Sequence, residues 1–168
     1  VECVPGVGGV GAAGGGEDGR GVIWGLSRGV KRAHLIRAAV ESITYQSADV
    51  VVARRQHTDF TLAALRVDGG PTGNDWLMQY QADLLGCPVM RSDVPELSAI
   101  GAALLARKAL STMSPDEMQQ FLSAHSAFQP DMARHGRLQK RWHQWKNAVE
   151  RTRWKATDAR RESVKPQA

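Results

Sequence analysis

The sequence has little cysteine and no long hydrophobic run, and both shortages narrow the class of protein. Only Cys3 and Cys87 are present among 168 residues, which is too few for a disulfide framework and favours a reducing cytoplasm. Neither lies in a metal-ligand spacing and the five histidines are scattered, so no structural metal is expected. No apolar run approaches the roughly 18 residues of a membrane-spanning helix, and no signal peptide is visible. These absences predict a soluble, cytoplasmic protein without a membrane partner.

Excess positive charge is missing from most of the chain and is confined to its C-terminal end. Residues 1–133 carry 11 Lys+Arg and 14 Asp+Glu, a net charge of −3, whereas residues 134–168 carry 11 and 3, a net charge of +8. The body of the protein is therefore mildly acidic, which argues against a nucleic-acid partner.

The basic end predicts an amphipathic helix near residues 132–155, followed by a disordered tail over 156–168. Four apolar residues recur there at spacings of four, three and four: Leu138, Trp142, Trp145 and Val149. We expect this stripe to dock on its own domain while the basic residues face solvent. A nucleic-acid contact through the basic face is the alternative, and it would weaken steeply with salt.

The stretch from Leu65 to Val89 predicts a strand, a glycine turn and a helix. Leu65-Arg66-Val67 is typical of the end of a strand, and the turn residues Asp68 to Asn74 follow. The helix begins at Asp75 and ends at Gly86. It presents one apolar face, which consists of Trp76, Leu77, Tyr80, Leu84 and Leu85.

Glycines make this turn a candidate ligand site. Gly69 and Gly70 have no Cβ to hold a ligand away. Asn74 or Asp75 can cap the helix, whose free amides favour an anionic or polar ligand. An ordinary strand-to-helix connection without a ligand is equally consistent with the bare pattern.

The remaining elements are predicted from local chemistry. Residues 1–20 are rich in glycine, and the match to G-x-G-x-x-G at 9–14 lacks the strand and helix that a dinucleotide site needs, so a loop is predicted. A strand is predicted over 21–26. A helix is predicted from Lys31 to Arg55, because Ile36, Val40, Ile43 and Val50 recur at helical spacing.

Further along the chain, strands and helices alternate. A strand is predicted at 88–91 and a helix at 97–106, where Gly101, Ala102 and Ala103 permit close packing or a neighbouring ligand. Ser114 and Glu117 form a capping-box pattern that starts another helix, which is predicted to end at 128–130.

Three motifs, in the right order and with almost no gaps, resemble the FGGY carbohydrate kinases over roughly residues 4–155. Gly21-Val22-Ile23-Trp24-Gly25-Leu26, with His34-Leu35 and Ala38-Ala39-Val40-Glu41, resembles the C-terminal signature of the family. Val67-Asp68-Gly69-Gly70, with Asn74 and the helix up to Gly86, is similar to its adenosine-binding motif. Glu96 to Ala103 is similar to the helix that follows.

The resemblance implies an α/β fold, the C-terminal half of an actin-like (ribonuclease-H-like) ATPase domain, with a mixed sheet and helices on both faces. Residues 21–155 would form this domain. It implies transfer of the γ-phosphoryl group of ATP, with Mg²⁺, to a polyol. Because residues 145–151 are similar to the closing helix of the glycerol-phosphorylating branch, glycerol is the expected acceptor. Pro71-Thr72-Gly73 and Trp76 are also similar to kinases of other polyols or pentuloses, which are the alternative.

The resemblance also assigns residues. Gly70 and Asn74 would contact the adenosine part of ATP, Gly69 would shape the turn, and Gly101 with Ala102 would back the nucleotide pocket. No catalytic residue is expected in this chain, since the family's phosphate-gripping loop, catalytic aspartate and polyol contacts precede it.

Two further expectations concern the whole protein. The chain alone should be inactive, and the complete enzyme should be a homo-oligomer. Residues 12–16 read Ala-Ala-Gly-Gly-Gly, where the family branch usually has Ala-Pro-Tyr-Trp-Asp. A degenerate, non-catalytic interaction domain of the same fold is therefore kept as an alternative.

Overall fold

The computed structural model describes residues 1–6, 21–57, 62–94, 96–110, 114, 117 and 124–152. The chain forms two compact units, one made of Val1–Phe60 with Arg137–Ala168 and the other of Thr61–Gly136. The predicted division into a loop segment, a domain over 21–155 and a tail stays a prediction, because residues 7–20 and 153–168 lie outside the described residues. In the described part of the chain, no helix is long and apolar enough to span a bilayer.

The first unit opens with two short strands. Strand β1 (Glu2–Val4) pairs antiparallel with β2 (Val22–Trp24), with Cys3 opposite Ile23. The sequence predicted β2 but not β1, which lies inside the segment predicted as a loop; the G-x-G-x-x-G match at 9–14 is outside the described residues. The long helix α1 (Arg32–His57) follows the strands, within two residues of its predicted ends.

The side of α1 that is buried consists mostly of small or polar residues. Its buried residues are Ala38, Glu41, Ser42, Thr44, Tyr45 and Ala48. Ile36, Ile43 and Val50, whose spacing predicted the helix, are exposed. The buried Glu41 carboxylate has partners: it accepts from Arg37 Nε at 2.7 Å and from Arg141 at 2.7 and 3.1 Å.

The last helix (α4, Met132–Thr152) docks its tryptophans on the first unit, as expected. Leu138, Trp142, Trp145 and Val149 are all buried. Trp142 Nε1 donates to Asp49 Oδ1 at 3.0 Å, and Trp145 Nε1 donates to the carbonyl of Cys3 at 2.8 Å. Burial raises the pKa of Asp49 above its ordinary value, although the Lys146 ammonium and the Trp142 N–H partly oppose this. The docked amphipathic helix is therefore confirmed.

The second unit contains a mixed three-stranded sheet. Strand β3 (Leu65–Val67) pairs parallel with β4 (Val89–Ser92), which pairs antiparallel with β5 (Ala124–Phe128). Helix α2 (Asp75–Leu85) connects β3 to β4, and α3 (Leu97–Leu110) follows β4. This arrangement confirms the mixed α/β class.

The connection into β5 differs from the prediction. The capping box is confirmed, since the Ser114 N–H donates to Glu117 Oε2 at 2.9 Å and the Glu117 N–H donates to Ser114 Oγ at 3.2 Å. These hydrogen bonds hold the pKa of Glu117 below its usual range. The predicted continuation of this helix to 128 was wrong, because residues 124–128 form β5.

The C-terminal end of α2 is fixed by a glycine and a buried carboxylate. Gly86 has φ +66°, and its N–H donates to the carbonyl of Ala82 at 2.9 Å. Asp83, buried on the last turn, accepts from Gln79 Nε2 and from the N–H of Asp131, both at 2.8 Å. These contacts hold α2, and with it the turn at its other end, in one position.

Candidate functional site

The candidate site is the turn between β3 and α2. Gly69 has φ +91° and ψ 170° and precedes a 3-10 helix over Gly70–Gly73. Only glycine adopts this conformation without strain. The N–H and Oγ1 of Thr72 both donate to the carbonyl of Gly69, at 3.0 and 2.7 Å. Gly69 therefore allows the chain to make this turn.

The glycines of the turn are open on their side-chain side. A Cβ added to Gly69, Gly70 or Gly73 would meet no heavy atom within 4 Å. Close packing inside the unit therefore does not explain Gly70 or Gly73, and the backbone there is accessible to a ligand. Had Gly69 and Gly70 been covered by other side chains, no nucleoside could approach them.

Asn74 caps α2, and this use of its side chain decides what it can offer a ligand. Its Oδ1 accepts from the Leu77 N–H at 3.2 Å, so Asn74 rather than Asp75 is the cap. One of the two lone pairs of the side-chain oxygen is thereby used. The Nδ2 group retains two N–H donors, for which the described residues provide no acceptor. Asn74 therefore keeps two N–H donors that it could offer to a ligand.

Arg91 on β4 fixes the turn from the side. Its Nη1 donates to the Thr72 carbonyl at 3.0 Å and to Asp75 Oδ1 at 2.6 Å, and its Nη2 lies 3.4 Å from Ser126 Oγ. The guanidinium also stacks over Phe128 at 5.2 Å. The sequence analysis missed this role; the only signal was a charged residue at the end of a predicted strand.

Gly101 lies on a separate element of the same unit, the second turn of α3. A Cβ added there would also meet nothing within 4 Å, and Ala102 beside it is exposed. The structure thus brings Gly69, Gly70 and Asn74 into one turn, whereas Gly101 belongs to a different element. Among the described residues, no group of three His, Cys, Asp or Glu side chains could hold a metal ion.

Comparison with solved structures identifies the class of protein. Xylulose kinase from Lactobacillus acidophilus is similar over 89% of this chain and 30% of its own, with a TM-score of 0.76 and 23% identity. Glycerol kinase from Plasmodium falciparum, solved with ADP, is similar over 92% of this chain and 31% of its own, with a TM-score of 0.75 and 27% identity. The fold is therefore the actin-like ATPase fold of sugar kinases.

Sequence comparison identifies the family. Residues 1–110 match the model of the FGGY family of carbohydrate kinases, C-terminal domain, and the chain belongs to this family. Glycerol kinase from Aeromonas hydrophila is 47% identical over 154 residues, which is 91% of this chain and 31% of that protein. Glycerol kinase from Aeromonas salmonicida is 45% identical over 160 residues, 94% of this chain and 32% of that protein. The chain thus spans about a third of the length of these curated relatives.

Proposed function

We propose that this chain is the adenosine-binding C-terminal part of an ATP-dependent kinase that converts glycerol to glycerol 3-phosphate. The observation that carries the proposal is the open glycine turn at Gly69 and Gly70, in a chain of the FGGY family. Glycerol is chosen as the acceptor because relatives at 45–47% identity are glycerol kinases. The cytoplasm is proposed as the location, since two cysteines without a disulfide framework suit a reducing compartment.

In this proposal the turn residues bind and orient the nucleoside. Without a Cβ, Gly70 allows the adenosine part of ATP to lie against the backbone. The Nδ2 group of Asn74 donates a hydrogen bond to it, while Oδ1 keeps the helix cap. Gly101 backs the nucleotide pocket from α3. Arg91 acts indirectly, because it holds the carbonyl of Thr72 in the middle of the turn.

The chain supplies binding and orientation but not the whole of the chemistry. Phosphoryl transfer requires the nucleotide, the metal and the acceptor to be positioned together. When bound, Mg²⁺ would neutralise charge on the phosphates of ATP. The catalytic base and the polyol contacts are assigned to the part of the protein that precedes this domain, so this chain alone should bind adenine nucleotide weakly and transfer no phosphate.

A matched pair of substitutions in the complete protein tests the proposal. Gly70→Val fills the space assigned to adenosine, whereas Gly73→Val places the same side chain in the same turn at an equally open position. The Gly70→Val protein should have the same melting temperature as the wild type. It should show no heat of ADP binding and no ATP-dependent phosphorylation of glycerol. Gly73→Val should retain both.

Three results would contradict parts of the proposal separately. If the Gly70→Val protein had the same KM for ATP as the wild type, Gly70 would not contact the nucleotide. ADP binding without phosphorylation of glycerol would mean that the acceptor is wrong, and pentuloses and other polyols would then be assayed. Absence of both ADP binding and kinase activity in the wild-type protein would favour the degenerate, non-catalytic domain.

A further inference from the structure

The candidate turn begins with an aspartate that is followed directly by a glycine, Asp68-Gly69. The side-chain carboxyl carbon of an aspartate lies close to the amide nitrogen of the next residue, and the two atoms can bond to close a five-membered ring. A side chain on that next residue hinders the reaction, and glycine has none. The other Asp-Gly pair of the chain, at 18–19, lies outside the described residues.

The carboxylate of Asp68 is unrestrained in the folded chain. Asp68 is exposed, and among the described residues its side chain takes part in no hydrogen bond or ion pair. Asp75, in the same connection between β3 and α2, is also exposed, but its carboxylate is held by Arg91 at 2.6 Å, and the bulky Trp76 follows it. Asp68 can therefore turn its carboxyl toward the main chain, whereas Asp75 is held away from it.

The amide of Gly69, the other reacting group, is unobstructed as well. Its N–H donates no hydrogen bond among the described residues, so none has to be broken before the nitrogen reacts. A Cβ built on Gly69 would meet no heavy atom within 4 Å, so neighbouring side chains leave space beside it. Neither partner of the ring-closing reaction is therefore restrained by the fold.

We propose that Asp68-Gly69 is a site of spontaneous aspartate isomerisation and that this modification disables the nucleotide turn; the second part rests on the proposed function. The Gly69 nitrogen bonds to Cγ of the protonated Asp68 carboxyl, and the amide proton and the carboxyl hydroxyl leave as one water. A second water then opens the succinimide. Opening at the main-chain carbonyl of Asp68 breaks its bond to the Gly69 nitrogen, so the chain now runs through Cγ as isoaspartate. The reaction needs only water and leaves the mass of the protein unchanged.

Isoaspartate places one extra carbon atom in the main chain directly before Gly69. Gly69 has φ +91°, and its carbonyl accepts from the N–H and Oγ1 of Thr72, so its position relative to β3 determines the course of the turn. A carbon–carbon bond is about 1.5 Å long, whereas binding sites work within about 0.5 Å of their productive geometry. The modified protein should therefore give no heat of binding at ADP concentrations that saturate the unmodified protein.

Ageing of the complete protein at physiological temperature and mildly acid pH tests the chemistry. Trypsin releases residues 67–91 as one peptide, in which electron-transfer fragmentation distinguishes isoaspartate from aspartate at each position. Isoaspartate should accumulate at Asp68 and not at Asp75, the control within the same peptide. Asp68→Glu should form none, because its longer side chain cannot close the five-membered ring. If a synthetic peptide of residues 65–74 isomerises and the folded protein does not, the fold blocks the reaction and the proposal is overturned.

Calorimetric titration with ADP tests the consequence. The fraction of the aged protein that binds ADP should fall in step with isoaspartate at Asp68, while aged Asp68→Glu keeps its starting fraction. ADP at about 100 times its dissociation constant leaves about 1% of the turns empty and should slow isomerisation up to about 100-fold. Normal ADP binding by the isomerised protein, or an unchanged rate with ADP bound, would overturn the second part. Fresh protein that binds no ADP would contradict the proposed function instead, and fragmentation would still decide whether Asp68 isomerises.

Discussion

Asn74 caps α2 and is proposed to bind the nucleotide as well, and substitutions can separate these two tasks. Its Oδ1 caps α2 through the Leu77 N–H at 3.2 Å, and its Nδ2 is assigned to the nucleotide. Serine caps helices as well as asparagine does but has no amide donor at that reach. Asn74→Ser should therefore preserve stability and lose one ligand hydrogen bond. That loss is about 1–2 kcal/mol, or about 5- to 30-fold in the dissociation constant for ADP.

Two further substitutions at Asn74 complete the series. Asn74→Ala removes the cap as well as the donor, so it should lose about 1 kcal/mol of folding stability in addition to the same affinity. Asn74→Asp keeps the cap and favours the helix dipole, but its charge repels the phosphates, so it should bind ADP more weakly than Asn74→Ser and melt no lower than the wild type.

Calorimetric titration with ADP and thermal melting of the complete protein measure the two tasks independently. If Asn74→Ser bound ADP as tightly as the wild type while Asn74→Ala did not, Asn74 would act only as a cap. If all three variants bound normally, the adenosine would not lie at this turn. Either result would refute the reasoning from the hydrogen bond of Oδ1.

Three other substitutions test contacts around this turn and in the first unit. Arg91→Ala should raise KM for ATP more than it lowers kcat, because the turn loses its lateral support; an unchanged KM would separate Arg91 from the site. Gly86→Ala should destabilise the protein by about 1–2 kcal/mol in denaturant unfolding, because its φ is +66° and the new Cβ would lie 3.1 Å from His135; wild-type stability would contradict this. Asp49→Asn keeps an acceptor for Trp142 and removes a buried charge. Burial raises the pKa of Asp49. The wild-type protein should therefore lose stability relative to this variant as the pH rises from about 3 to about 6. Parallel plots of stability against pH for the two proteins would show that the carboxyl is not desolvated.

The candidate turn was predictable from sequence because its structure is determined by neighbouring residues. Gly69 supplies the positive φ, Asn74 supplies the cap and Gly86 supplies the left-handed end of α2. Each effect acts within a few residues along the chain, so no knowledge of the fold was needed. The sequence could not show that Oδ1 of Asn74 caps the helix while Nδ2 stays available, since the direction of the side-chain amide depends on the turn already being formed.

Features that depend on distant residues were missed. Strand β5 lies in a stretch whose local pattern predicts the continuation of a helix. It forms a strand because it pairs with β4, where Ser126 lies opposite Arg91, 35 residues earlier in the chain. Strand β1 has only three residues and needs β2 to exist. Arg91 supports the turn through a carbonyl 19 residues away. In each case the partner, rather than the segment itself, fixes the structure.

In helix α1 the apolar residues that predict the helix are not the residues that the unit buries. Periodicity locates a seam at Ile36, Ile43 and Val50, but it does not say which body the seam faces. The unit buries the other side of α1 instead, because Arg141, 100 residues away, donates hydrogen bonds to the Glu41 carboxylate. These bonds offset most of the free-energy penalty of burying the charged group. A polar face with partners can be interior, and an apolar face can then remain outside. The apolar spacing that predicts a helix here therefore does not identify the side of the helix that the unit buries.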